Sequence, residues 1–262
     1  MGKIEIWLFL SGIYNSALYC QTAAPKPKPT PQQLYHWQLP GEFHYKVIAL
    51  GDRLQVPGKE RLVLAGTLTQ SGQTAPATIT MELPASVRID IASKPTRVLI
   101  FDGTKSSASD NRFSAADYDL LESILEDAPE RLLYSLTGPS AMRIIAHRFP
   151  TNGGKLPGYK GPWEDVYEFF QKVQAAATPV VRQKHFYFDS VTRLGTRVKY
   201  AVKQSNGTTA LIETQRTDWH MVNGQQVPNV ITRLQNGAVQ LQFNSASQSF
   251  GGIAADGLFG PQ

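Results

Sequence analysis

Thr196-Arg197-Val198-Lys199-Tyr200-Ala201-Val202-Lys203 decides the fold class. Val198, Tyr200 and Val202 fall on one phase of a two-residue alternation; Arg197, Lys199 and Lys203 fall on the other. Successive side chains on opposite faces mean a strand, and one apolar face against one wet face means a half-buried antiparallel strand. The same period recurs to either side. Residues 182–188 carry Phe186 and Phe188 in one phase, and 209–219 include Leu211. Residues 229–234 and 238–243 flank Gln235-Asn236-Gly237, whose Asn-Gly pair marks a hairpin. Toward the N-terminus, 60–70 sets Leu62, Leu64 and Leu68 in phase, 78–83 sets Ile79 and Met81, and 86–92 sets Val87, Ile89 and Ile91. A further strand at 96–101 stops at Asp102-Gly103. The breaks at Ser71-Gly72, Pro84 and Lys94-Pro95 have hairpin length.

Between these two strand runs the period changes. Ser114 can cap a helix that Asp117 answers three residues on, with Phe113 packing on Tyr118 as a staple. Tyr118, Leu121 and Leu125 then share one helical face. Residues 131–136 read as a second helical piece ended by Gly138-Pro139, and 141–149 fit helix or strand. Residues 163–173 fit either state as well; the hairpin spacing of the strands that follow favours strand. From Ser245 the chain is small, polar and glycine-rich, which predicts a loose tail. The fold class expected is α+β: a single curled antiparallel sheet, an unclosed β-barrel, with helices covering its concave face.

At 262 residues with 42% apolar and 18% charged side chains, the chain can bury one large core without staples. The net charge of +5 is spread over Lys26, Lys28, Arg143, Arg148, Arg182, Lys184, Arg197, Lys199 and Lys203. That scatter reads as a solvated basic surface and argues against a nucleic-acid partner. One cysteine, Cys20, excludes an intrachain disulfide framework. Residues 1–23 read as a secretory leader, with Ile6 to Leu10 opening its apolar stretch, so the chain is expected to be exported. Cys20 is either removed with the leader or acylated, in which case the protein is a membrane-anchored lipoprotein; otherwise membrane contact is transient. Residues 24–40 form a Pro-rich extended spacer, 41–248 the domain and 249–262 a flexible tail.

The search for chemistry returns no catalytic set. His36, His44, His147, His185 and His220 show no His-x-x-x-His spacing for a metal, and no Gly-x-Ser-x-Gly elbow is present. Asp102-Gly103-Thr104-Lys105-Ser106 lacks the first glycine of a phosphate loop and reads as a turn. Glu122, Glu126, Asp127 and Glu130 read as a solvated acidic face. Asn206-Gly207-Thr208 is sufficient as a hairpin turn. No cofactor is expected, and a non-enzymatic role is; a hydrolase with dispersed residues is the remaining enzymatic alternative.

Two stretches carry a resemblance. Tyr187-Phe188-Asp189-Ser190-Val191-Thr192-Arg193-Leu194 and Asp218-Trp219-His220-Met221-Val222-Asn223-Gly224-Gln225-Gln226-Val227-Pro228 resemble turn signatures of outer-membrane lipoprotein-sorting proteins, the LolA-like, LppX-like and RseB-like superfamily of periplasmic half-barrels. The resemblance covers 60–243 in layout and the last third in motif. It implies a lidded half-barrel whose apolar cavity holds the acyl chains of a lipid or a lipidated protein. The family's sorting arginine finds no matching motif and is not carried over. The residues expected to line the cavity are Leu62, Leu64, Ile79, Met81, Phe186, Phe188, Val198, Tyr200, Val202 and Leu211 from strands, with Tyr118, Leu121 and Leu125 from the lid. The alternative is an envelope regulatory or assembly module that binds a protein partner through the same fold.

Overall fold

The computed structural model describes residues 41–52, 60–82, 85–136, 145–150, 160–176, 180–204, 206–252 and 257–259. The expected leader, the spacer, Cys20, the Gly138-Pro139 helix stop and residues 141–144 lie outside them.

Helix α1 (Gly41–Ala49) comes first. Five strands follow: β1 (Glu60–Gln70), β2 (Gln73–Glu82), β3 (Ser86–Ile91), β4 (Arg97–Phe101) and β5 (Ser106–Ala108). A helical hairpin interrupts them. It consists of α2 (Ala115–Leu121), a π-helical turn (Glu122–Glu126) and α3 (Pro129–Ser135). The strands then resume as β6 (Ile145–Pro150), β7 (Trp163–Val173), β8 (Val180–Asp189), β9 (Gly195–Lys203), β10 (Thr209–Val222), β11 (Gln225–Gln235) and β12 (Ala238–Gly252).

All twelve strands form one antiparallel sheet in the order β5-β4-β3-β2-β1-β12-β11-β10-β9-β8-β7-β6. Two meanders therefore meet where β1 pairs β12, and β5 and β6 remain as separate edges. The helical hairpin connects those two edges and crosses the concave side. So wide a twisted sheet must curl. Register shifts sharpen its bend at Ala65/Gly66, Arg233/Leu234 and Tyr187/Phe188. Gly66 is obligatory at the first, because an added Cβ would lie 2.0 Å from the carbonyl oxygen of Asn244. Hairpin turns at Ser71-Gly72, Asn223-Gly224 and Asn236-Gly237 have both central residues at positive φ, the conformation whose twist suits a two-residue loop.

Three expectations are corrected. Helix α1 was not foreseen, although Phe43, Val47 and Leu50 give it a buried stripe. The segment from Ser245 is not loose: β12 runs to Gly252 and pairs with β1 from Glu60↔Gly252 inward, so the sheet passes the expected domain boundary at 248. Glu122, Glu126, Asp127 and Glu130 are buried, not solvated. The strand reading of β7 and the capping box of α2 hold. Ser114 Oγ accepts from Asp117 N, and the Phe113 and Tyr118 rings sit 4.7 Å apart.

Two apolar clusters fill the concave side. One joins Leu120, Leu121, Ile124 and Leu125 of the lid to Leu62, Leu64, Ile79, Met81, Val87, Ile89, Leu99 and Phe101, with Leu241 and Phe243. The other joins Phe43 and Val47 of α1, Leu50 just after it, and Leu132, Leu133 and Leu136 to Tyr167, Phe169, Phe186, Phe188, Val198, Tyr200 and Ile212.

Candidate functional site: the charged seam beneath the lid

Between the two apolar clusters, β8, β10 and β11 each send polar side chains inward on the apolar phase. Lys184 lies in phase with Phe186 and Phe188, Thr214 and Arg216 with Ala210 and Ile212, and Arg233 with Ile231. They meet the acidic middle of the lid. Asp127, at the end of the π-helical turn, is the centre: Oδ1 accepts from Lys184 Nζ at 2.5 Å and Oδ2 from Thr214 Oγ1 at 2.6 Å. Glu122 lies 3.0 Å from Lys184 Nζ and 2.9 Å from Arg182 Nε. Arg233 donates to Asp119 Oδ1 and to the Tyr200 hydroxyl, each at 2.7 Å.

Arg216 makes a different contact. It donates to main-chain carbonyl oxygens of the lid: Asp127 at 2.7 Å, Ser123 at 2.6 Å and Ile124 at 3.3 Å. A π-helical turn leaves carbonyls poorly served within the helix, and a guanidinium from the sheet completes them. Two further ties hold the start of α2 and the π-helical turn. Arg97 of β4 grips Asp117 through both carboxylate oxygens at 2.6 and 2.8 Å. Glu126 accepts from Gln171 Nε2, Arg131 Nε and the main-chain N–H groups of Gln174 and Ala175, which pins the turn to the end of β7. At the start of α3, Pro129 sits so close to β9 that a Cβ on Gly195 would come within 3.0 Å of it.

The electrostatics follow from burial opposed by pairing. Desolvation would raise the Asp127 carboxyl, but Lys184 and Arg233 override it and hold it below its usual range. Burial likewise works against the Lys184 ammonium, and Asp127 and Glu122 more than restore it, so its pKa is raised. Arg216 has mostly carbonyl partners; burial pushes it down to about 10, with only Asp127 opposing, and it stays charged at neutral pH. The Tyr200 hydroxyl is pushed well up by burial and by the neighbouring Asp127 and Glu122, so it remains a neutral phenol.

The residues expected to line a cavity separate into three places. Leu62, Leu64, Ile79, Met81, Leu121 and Leu125 belong to the first cluster, and Phe186, Phe188, Val198 and Tyr200 to the second, all nearly fully buried. Val202 packs at the margin of the second, and Tyr118 is half-buried on Phe113. Leu211 points away from the lid and is 52% exposed on the outer face. Among the described residues, the void where Asp127 and Pro129 meet β8, β9 and β10 measures about 10 Å³, room for roughly one water. The closed arrangement there holds no acyl chain. No group of three or more His, Cys, Asp or Glu among the described residues is placed to hold a metal ion. His185 and His220 pair with Glu168 and Gln248.

No family model matches the chain, and no curated protein matches it. Solved structures with similar folds include a LolA superfamily protein from Nitrosomonas europaea (TM-score 0.48, 7% identity, 82% of this chain and 96% of that one). A DUF1329 family protein from Desulfovibrio piger matches at TM-score 0.45 and 7% identity over 84% of this chain and 97% of its own. An outer-membrane lipoprotein-sorting protein domain from Vibrio parahaemolyticus matches at 0.44 and 7% over 82% and 95%. Among the described residues no helix is long and apolar enough to cross a membrane.

Proposed function

We propose that this chain is a non-catalytic envelope carrier that takes up acyl chains of a lipid or lipidated protein when the helical hairpin lifts off the sheet. The observation that carries this reading is the charged seam. An ion network buried between two surfaces adds little to stability over an apolar interface of the same volume. It has one advantage for a lid: when the surfaces separate, water solvates both charged faces. An all-apolar interface would be penalised at about 25 cal/mol for each Å² exposed. The seam therefore lowers the cost of opening where Asp127, Glu122 and Asp119 meet Lys184, Arg216 and Arg233. Lifting the hairpin also uncovers the apolar phases of β1–β4 and β8–β10, the surface an acyl chain needs. The leader expected at 1–23 supports a periplasmic location for this activity.

The near-absence of void beside Asp127 favours a second reading, in which the closed protein binds an envelope protein on its surface and carries no lipid. One experiment separates the two. Protein purified from a bacterial envelope is extracted and its lipids weighed by mass spectrometry, and the delipidated protein is titrated with cis-parinaric acid. Copurifying acyl species and saturable fluorescence support the carrier. Absence of both, together with a stable protein partner in crosslinking, supports the module.

A further inference from the structure

A second cavity lies away from the lid, where α1 packs against the second cluster, and has a volume of about 390 Å³. Asp165 of β7 stands in its wall and is shared by three cations. Arg148 Nε lies 3.1 Å from Oδ1; Arg193 NH1 at 3.1 Å and Lys46 Nζ at 3.5 Å reach Oδ2. Lys46 is the buried one of the three. It is 2% exposed, donates to the Tyr167 hydroxyl at 2.9 Å and sits over the rings of Phe43, Tyr167 and Phe188. Cation–π contacts and one shared carboxylate keep this ammonium in an apolar cage.

Stability does not account for the third cation. The Arg148 side chain is 62% exposed, and a pair so wet is worth less than about 1 kcal/mol. Bringing it beside Lys46 and Arg193 adds repulsion that one carboxylate cannot cancel. Glu42, the other acid at the cavity, is exposed to water at the start of α1. Arg193 is also partly wet, its side chain 38% exposed. It takes a left-handed backbone, φ 66°, at a position with a Cβ, and is fixed there by the turn in which Asp189 Oδ1 accepts from the N–H groups of Val191 and Thr192.

We propose that this cavity binds a phosphate group, either free or as the headgroup of a lipid, on the guanidinium forks of Arg148 and Arg193 with Lys46 beneath. Three cations against Asp165 and the exposed Glu42 leave the cavity net positive, as a phosphate requires, and each guanidinium has N–H groups beyond the one facing Asp165. The cavity has the size of a headgroup site rather than a whole lipid. This site is independent of the lid reading: it needs no movement of the hairpin.

The test is a calorimetric titration of the full chain with inorganic phosphate and, separately, with monomeric dihexanoyl phosphatidic acid, at constant ionic strength. At least one probe is expected to saturate one site. The double variant Arg148→Gln/Arg193→Gln should lose at least about tenfold in affinity, with an unchanged thermal melt. Lys203→Gln, on the outer face, should bind as the parent does. Equal affinity for the two probes assigns the site to free phosphate, and tighter binding of the phosphatidate assigns it to a lipid headgroup. No saturation by either probe, or undiminished binding in the double variant, overturns the proposal.

Discussion

The β1–β4 half of the concave face and the β8–β11 half hold the same lid in opposite ways. On the first, Leu121, Ile124 and Leu125 sink among Leu64, Ile79, Ile89 and Phe101, and the contact is apolar apart from the ties of Arg97 to Asp117 and Gln70 to Ala116 at its rim. On the second, the next turn of the same hairpin presents Glu122 and Asp127 to Lys184, Arg216 and Arg233. An apolar contact is non-directional and costly to expose; an ion network is directional, costly to break from one side, and solvated once parted. The lid is therefore anchored at one side and latched at the other.

The largest effect should come from breaking the latch on one side. Lys184→Ala leaves Asp127 buried without its closest cation and should cost about 3–5 kcal/mol in urea denaturation. The replacement Lys184→Met/Asp127→Leu removes both charges and should restore stability to the parent value or above. The same variant should bind cis-parinaric acid more weakly, because the latch has become a second anchor. On the anchored side, Ile89→Ala should cost about 2–5 kcal/mol through a cavity without loosening the lid relative to the sheet.

The pH dependence sharpens the same contrast. Asp127 is depressed below its unfolded value of 3.8, so its contribution is present above that pH and is lost as the pH falls through the lower folded value. Lys184 is raised above 10.5, so its contribution is present below that pH and is lost as the pH rises through the higher folded value. Stability measured by denaturant midpoint should therefore fall at both extremes, and Lys184→Met/Asp127→Leu should flatten both limbs. Smaller effects lie at the margins. Ser114→Ala removes the α2 cap and should cost about 1 kcal/mol. Lys199→Ala, which breaks the outer-face pair with Glu213 at 3.1 Å, should cost under about 1 kcal/mol in the same assay.

The anchored half was legible in the sequence because period-two alternation is a local signal. Leu62, Leu64, Ile79, Met81, Val87 and Ile89 announce their face without help from any partner. The latch was not read, although its mark was present. Lys184, Arg216 and Arg233 occupy the apolar phase of their strands, and four acidic residues stand in the one segment free to cover them. A charge at an inward phase is informative only when its partner is known, and these partners are 57 to 114 residues away in the chain. Helix α1 was missed for a related reason: nine residues give too few turns for a helical period to stand out, and its stripe of Phe43 and Val47 is completed only by β7 and β8.

Hydrogen exchange of the lid amides, residues 115–135, compared with the amides of β1 and β2 under native conditions, tests the latch most directly. The account predicts that the lid exchanges through an opening of lower free energy than global unfolding, and that Lys184→Met/Asp127→Leu slows lid exchange toward the rate of the sheet. Lid amides that exchange only with β1 and β2, in the parent and the double variant alike, would contradict it.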